Sequence, residues 1–101
     1  MDKKNTPGLR TEALKTISQK HSGNDAATQA MRALDGLQLF GSLTTQDLRQ
    51  DLDIMHPAGR IKELRDDGYD IGMVWESNPT ACGKMHRMAR YVYKGRLKVA
   101  A

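Results

Sequence analysis

The sequence predicts an α+β domain in which three helices precede a C-terminal β-hairpin. Between residues 26 and 40, apolar side chains recur at spacings of three and four, which is typical of a helix with one buried face. Beyond Gly68 the spacing changes to two, as in strands that cover a core with one side. Helices followed by a separate hairpin indicate the α+β class.

The composition supports one small domain. The chain has 101 residues, and only 18 of them are Leu, Ile, Val or Phe. Six Met, three Tyr and one Trp add apolar volume, and nearly all of these lie within residues 31–93. We therefore expect the folded domain to span residues 24–94. Residues 1–23 are expected to form a flexible basic arm that is dispensable for folding, within which residues 11–20 could form a short helix with Ala13, Leu14 and Ile17 on one side. Residues 95–101 are expected to form a basic tail.

The first helix is predicted to begin at Asn24 or Asp25, because either side chain can cap a helix N-terminus. Gly41 is its expected C-terminal stop. Gly36 weakens the last turn by about 1 kcal/mol relative to alanine, so an earlier end is an open alternative. The expected buried face consists of Ala27, Ala30, Met31, Leu34 and Leu37.

The second helix is short and follows Thr44, whose hydroxyl can cap the backbone while Asp47 reaches back to form a capping box. Pro57 suits the first position of a third helix, where its missing N–H costs no hydrogen bond. Gly68 is expected to end that third helix. The apolar side of the second helix is formed by Leu48 and Leu52.

The hairpin is predicted from two alternating runs, residues 69–76 and 86–94, joined by a long, turn-rich and basic loop. In the second run, every second residue starting with Arg87 lies on one face, and every second residue starting with His86 lies on the other. The aromatic side chains are expected to pack in the core or on the hairpin rather than to stack on bases: Tyr69, Trp75, Tyr91 and Tyr93.

Residues 43–48 and 56–71 resemble the small winged helix-turn-helix DNA-binding domains of bacteriophages and prophages. The signature of that family, Arg-Ile-x-x-Leu-Arg-x-x-Gly-Tyr-x-Ile, falls on residues 60–71, and its basic, aromatic last strand resembles residues 87–91. The resemblance covers residues 26–94. It implies a three-helix winged helix-turn-helix with the hairpin as a wing, and double-stranded DNA as the partner.

One position departs from the family pattern. Asp53 lies in the turn before the third helix, where the family often has Gly. The departure implies either an Asp in the left-handed region of backbone conformation or an altered angle between the two helices.

The candidate DNA-binding residues fall in three groups. In the third helix, the side chains away from Ile61 near the N-terminus are expected to enter the major groove. Arg60 could equally have a structural role instead of a contact in the major groove, and Arg65 is expected to be structural. The start of the second helix can donate to a phosphate, and the hairpin cations can reach phosphates or the minor groove. These candidates are His56, Gly59, Arg60 and Lys62; Thr44, Thr45 and Gln46; and Lys84, His86, Arg87 and Arg90.

The charge distribution favours a nucleic-acid partner. Residues 77–101 carry six basic and no acidic side chains, residues 1–24 carry a net charge of +3, and residues 25–56 carry −3. Basic ends around an acidic middle suit a domain whose ends meet phosphate. The acidic middle also motivates a protein partner as an alternative, through Asp47, Asp51, Asp53, Glu63 and Asp66.

The sequence gives no indication of an enzyme, a cofactor or a metal site. It has no phosphate-binding loop, no nucleophile with a plausible base and no pair of carboxylates in an apolar setting. Cys82 and His86 have the spacing of two zinc ligands, but a second close pair is missing and a structural site needs four ligands. No apolar run is long enough for a membrane span or a secretory signal, which predicts a cytoplasmic protein without membrane contact.

The expected function is that of a sequence-selective, double-stranded DNA-binding protein, acting as a phage or prophage transcriptional regulator. One alternative is an excisionase that bends attachment-site DNA for a recombinase. Another is a phage interaction protein that inhibits a host protein through the helix-turn-helix scaffold. Four apolar side chains could serve a homodimer and could equally cover the core of the domain: Leu9, Leu14, Ile17 and Phe40.

Overall fold

Helices pack against one face of a three-stranded antiparallel sheet in the computed structural model, which describes residues 7–79 and 83–96. Within this part of the chain, no helix is both long enough and apolar enough to cross a membrane. The elements are α1 (Pro7–Lys20), α2 (Ala26–Phe40), β1 (Ser42–Thr44), a short π-wound helix (Asp47–Asp51), α3 (Pro57–Asp66), β2 (Tyr69–Pro79) and β3 (Met85–Arg96).

The sheet has the order β1-β3-β2, so β3 is the central strand. Leu43 pairs with Tyr91 on one side of β3, and Ile71 pairs with Tyr93 on the other. A bulge between Asp70 and Ile71 shifts the register near the start of β2. The predicted hairpin is confirmed, and its strands extend further than expected. Strand β1 was not predicted, because three residues are too few to show an alternating pattern.

The two ends of α2 follow their predicted capping residues. The Asp25 carboxylate accepts a hydrogen bond from the Thr28 backbone N–H at 3.2 Å, and the Gly41 N–H donates to the Leu37 carbonyl at 2.8 Å. Gly41 has a φ of 82°, which favours glycine. Hydrogen bonds from the Thr28 hydroxyl and backbone hold the pKa of the Asp25 carboxyl below its usual range.

Gly36 lies inside α2 and does not end it, although an earlier end was an alternative. A Cβ atom at this position would lie 2.8 Å from Leu43 Cδ1 and 3.1 Å from Leu52 Cδ1. Both leucine side chains are fully buried, so neither can move aside easily. The lower helix propensity of Gly36 is therefore offset by close packing of β1 and the short helix against α2.

The capping box before the short helix is confirmed in both directions. The Thr44 N–H donates to Asp47 Oδ2 at 2.9 Å, and the Asp47 N–H donates to Thr44 Oγ1 at 3.1 Å. The following turn contains Asp53 with a φ of 53°, so the left-handed alternative is the one that the structure adopts. The segment Asp47–Asp51 is π-wound, which differs from the expected α-helix.

Residues 7–20 differ from the expectation of a flexible arm. They form α1, whose Leu14 and Ile17 side chains are buried in the same hydrophobic core as Leu37 and Leu48. The sequence allows a short helix here, but so short a helix is marginal in isolation, and the packing that stabilises it comes from residues distant in sequence. Leu14 and Ile17 could have served a homodimer or covered the core of the domain, and the structure shows that they cover the core. The domain therefore includes α1.

The buried face of α2 also differs from the prediction. Ala30, Leu34 and Leu37 are buried as expected, whereas Ala27 and Met31 are exposed. The buried face extends instead to Arg32 and Ala33, because α1 packs on this side of α2. The rest of the core comes from the other elements: Leu43, Leu48, Leu52, Ile54, Ile61, Leu64, Ile71, Ala89 and Tyr91.

The Arg32 side chain connects the loop before α2 to the turn after the short helix. This side chain is 2% exposed, and its Nη1 donates to the His21 carbonyl at 2.5 Å and to the Gly23 carbonyl at 2.6 Å. On the other side, Nε donates to the Leu52 carbonyl at 2.7 Å and Nη2 to the Asp53 carbonyl at 3.1 Å. A buried guanidinium with this many backbone partners holds α1 and the start of α3 to α2.

Replacing Leu14 by Ala should lower the free energy of unfolding by about 2 to 5 kcal/mol, as for other leucines in closed cores. Urea denaturation followed by circular dichroism measures this loss. Lys15→Ala, at an exposed neighbouring position, should remain within about 0.5 kcal/mol of the parent. A Leu14→Ala variant as stable as the parent would show that α1 does not contribute to the core.

Replacing Arg32 by Lys should lower the free energy of unfolding by about 3 kcal/mol or more, although the positive charge remains. A single ammonium nitrogen cannot reach carbonyls on both sides as the forked guanidinium does. The exposed Arg49→Lys variant controls for the change of residue type. Equal urea midpoints and slopes for the two variants would contradict the proposed role of Arg32.

Candidate nucleic-acid interface

The N-terminal half of α3 and the residue before it present two of the predicted side chains, those of Lys62 and His56, to solvent. Pro57, Ile61 and Leu64 are buried against the rest of the domain, which fixes the rotation of the helix. His56 precedes the helix and is exposed, and the Lys62 side chain is 77% exposed. Lys62 also pairs with Asp66 at 3.0 Å, an exposed ion pair that contributes little stability. His56 and Lys62 are therefore accessible to a partner.

Gly59 lies in the first turn of α3 and is not required there by the fold. A Cβ atom at this position would meet His56 Cβ at 3.8 Å, which is an ordinary contact distance. Its φ does not lie in the left-handed region. Since glycine lowers helix propensity without a packing reason here, its lack of a side chain suits close approach by another molecule.

Arg60 and Arg65 are both engaged within the domain. The Arg60 side chain is 16% exposed, and its Nη2 donates to Glu63 Oε1 at 2.8 Å. Arg65 Nε donates to the Ile71 carbonyl at 2.8 Å and joins the end of α3 to β2. The contact of Arg65 is structural, as expected, and its partner is a backbone carbonyl. The burial of Arg60 favours its structural interpretation over a base contact.

The three candidates at the start of the short helix have different environments. Thr44 is buried, and its hydroxyl accepts the capping hydrogen bond from Asp47, so its side chain is not presented to a partner. This differs from the expected phosphate contact. Thr45 is half-buried and Gln46 is exposed, and both line the groove between the hairpin and the short helix. Of this group, Thr45 and Gln46 are the two residues whose side chains reach the groove.

The four candidates on the hairpin also differ in their exposure to solvent. Lys84, His86 and Arg87 are exposed. Arg90 is half-buried on the outer face of the sheet, where its guanidinium pairs with Glu76 and donates to Ser42 Oγ at 2.9 Å. Arg90 therefore joins β3 to its two neighbouring strands, which differs from the expected DNA contact.

A groove of about 520 Å³ separates the hairpin from the short helix and the start of α3. Two arginines line it, and none of its lining residues in the described part of the chain is acidic. The sequence did not indicate Arg49 and Trp75 here, because the short helix carries two acidic residues beside its one arginine and Trp75 was expected to pack. The lining residues include Gln46, Arg49, Pro57, Ala58, Trp75 and Arg87.

A second groove, of about 560 Å³, lies between α2 and α3 and has the opposite charge. Its lining includes Glu63, Asp66 and Asp67 together with the exposed Met31. Arg60 pairs with the first of these acids, and Lys62 pairs with the second. Part of the acidic surface expected from the sequence is thus neutralised within α3.

A metal site has no support in the described residues, among which no group of three or more His, Cys, Asp or Glu side chains could hold an ion. Cys82, one of the two residues with zinc-like spacing, lies outside the described ranges. His86 is exposed on β3.

Two helices joined by a tight turn, with an exposed third-helix N-terminus and a flanking hairpin, define the helix-turn-helix class of DNA-binding proteins. A family model described as the winged helix-turn-helix domain matches residues 28–94. Because this match covers more than half of the chain, the chain belongs to the winged helix-turn-helix domain family. It matches none of the curated proteins and none of the solved structures with which it was compared.

Membership in this family confirms the predicted α+β fold and supports a DNA-binding role. The hairpin of β2 and β3 is the wing. The structure adds α1 and β1 to the three helices and hairpin that the sequence predicted. The match begins within α2, so α1 lies outside the part of the chain that the family model covers.

Proposed function

We propose that this protein binds double-stranded DNA with sequence preference, using the first turns of α3 in the major groove and the wing on the sugar-phosphate backbone. His56, Gly59 and Lys62 are the candidates for the major groove. Lys84 and Arg87 are the candidates for phosphate contacts, and His86 adds a donor beside them. Arg60 contributes by holding the helix through Glu63.

The observation that carries this proposal is the position of the groove with two arginines. The start of α3 forms one wall of this groove, and the wing forms the opposite wall. No acidic residue lines this groove in the described part of the chain, and Glu63, Asp66 and Asp67 line the second groove, between α2 and α3. A duplex that approached the first turn of α3 would therefore meet cations on the wing without meeting those acids.

The biological role that best fits is transcriptional regulation from a phage or prophage genome, in the cytoplasm of the host cell. This finer assignment rests on the resemblance of residues 60–71 to phage domains. An excisionase would give one long protected stretch with strong bending in a footprinting experiment. A regulator that binds as a dimer would give two footprints about one helical turn apart. A protein inhibitor would bind no duplex at low salt.

Replacing Gly59 by Ala tests whether the backbone of α3 approaches DNA closely. Helix propensity should raise the free energy of unfolding by up to about 1 kcal/mol, because the added methyl group has open space. The same methyl group should weaken duplex binding by about 1 kcal/mol or more if it intrudes on a close contact. Urea denaturation and fluorescence anisotropy with a labelled duplex measure the two effects. Unchanged affinity would contradict a close approach of α3 at this turn.

The matched variants Lys62→Ala and Lys84→Ala separate base recognition from phosphate contact. Loss of a base contact at Lys62 should cost about 1 to 3 kcal/mol on the preferred duplex and much less on random duplex. Loss of a phosphate contact at Lys84 should weaken both complexes alike and reduce the magnitude of the salt slope by about 1. Salt titrations on both duplexes give these values. Identical behaviour of the two variants would contradict the division of roles between α3 and the wing.

A further inference from the structure

The inner face of the wing extends beyond the core of the domain. Trp75 pairs with Ala89 and therefore points to the same side of the sheet as the core. Ala89 is buried, whereas Trp75 is 57% exposed. The indole thus lies where the inner face of the hairpin leaves the helices and begins to line the groove.

Arg87 covers part of this indole. Its guanidinium carbon lies 4.7 Å from the centroid of the Trp75 ring, within the range of a cation–π interaction. Arg87 is itself exposed, and it lines the same groove. The stacked pair therefore offers a flat apolar surface next to a positive charge.

Arg49 supplies a second positive charge from the opposite side. It lies on the short helix, it is exposed, and it lines the groove together with Gln46. The groove thus combines two guanidinium groups, two side-chain amides and an apolar surface that includes Pro57. This combination suits a sugar-phosphate strand, whose phosphates are anionic and whose deoxyribose rings are largely apolar.

We propose that one sugar-phosphate strand of the bound duplex lies in this groove, between Arg49 and Arg87, with a deoxyribose packed on Trp75. This inference rests on the proposed duplex binding and names residues that the proposed function does not use, Arg49 and Trp75. The contact is independent of sequence, because it involves only the backbone of the strand. It holds the duplex at a point between the contact of α3 with the major groove and the contact of the wing with the backbone.

Trp75 is the only tryptophan of the chain, so its fluorescence reports directly on the groove. In the free protein, acrylamide should quench Trp75 efficiently, because the side chain is exposed. Saturation with a short random-sequence duplex at low salt should reduce the quenching constant severalfold. Fluorescence anisotropy with the same labelled duplex shows independently that the complex has formed.

Three variants test the contacts themselves. Arg49→Gln should reduce the magnitude of the salt slope by about 1, whereas the control Lys94→Gln, on the outer face of the sheet, should leave the slope nearly unchanged. Trp75→Ala should weaken binding on the order of tenfold on random and preferred duplex alike. Trp75→Phe should restore most of that loss. Circular dichroism verifies that the variants are folded.

The outcomes separate this inference from the proposed function. Duplex binding with Trp75 still fully quenchable, and with Arg49→Gln behaving as Lys94→Gln does, would overturn the groove contact and leave the proposed function intact. Absence of duplex binding at low salt would overturn both. Tighter binding of a single-stranded oligonucleotide of the same sequence, with protection of Trp75, would overturn the duplex strand as the occupant.

Discussion

The structure depends on the buried guanidinium of Arg32. An isolated charge in an apolar interior is costly, and here four backbone carbonyls compensate it in place of a carboxylate. Those carbonyls come from the loop after α1 and from the turn before α3, so one side chain fixes two segments that are distant in sequence. Gln29, also on α2, reinforces the bridge, because its side-chain amide donates to the Asn24 carbonyl at 2.6 Å and its oxygen accepts from the Met55 N–H at 3.4 Å.

The position of the candidate interface follows from this bridge. Asp53 adopts a left-handed conformation, and its carbonyl accepts from Arg32 while the chain turns toward α3. The turn determines where Pro57 begins the helix, and Pro57 is itself buried. From the other end, the Arg65 side chain holds β2 through the Ile71 carbonyl. The first turn of α3 and the wing are thus set relative to each other by contacts at both ends of one ten-residue helix.

Local features of the sequence predicted the ends of α2, the capping box at Thr44 and the hairpin, and they gave a left-handed Asp53 as one of two alternatives, because each depends on a few neighbouring residues. Features that depend on distant contacts were missed. The sequence could not show that Arg32 is buried, since arginine is ordinarily exposed. Every residue has a backbone carbonyl, so the sequence does not indicate which carbonyls will bind a buried side chain. The alternation in β2 correctly places Trp75 on the inner face, but alternation cannot indicate where along a strand the core ends. The acidic residues of the short helix gave no reason to expect a binding role for Arg49. That role depends on its position across the groove from the wing, which the sequence does not show.

Two glycines within helices show how packing separates structural from functional demands. Gly36 faces two buried leucine methyl groups, and a side chain there would collide with the core. Gly59 has open space around its missing Cβ atom, so the folded chain alone gives no reason to forgo the helix propensity of alanine. The same reasoning applies to Trp75, whose large apolar surface is left partly exposed without benefit to the core. Both Gly59 and Trp75 lie at the start of α3 or beside it, and a partner at that surface would account for each of them.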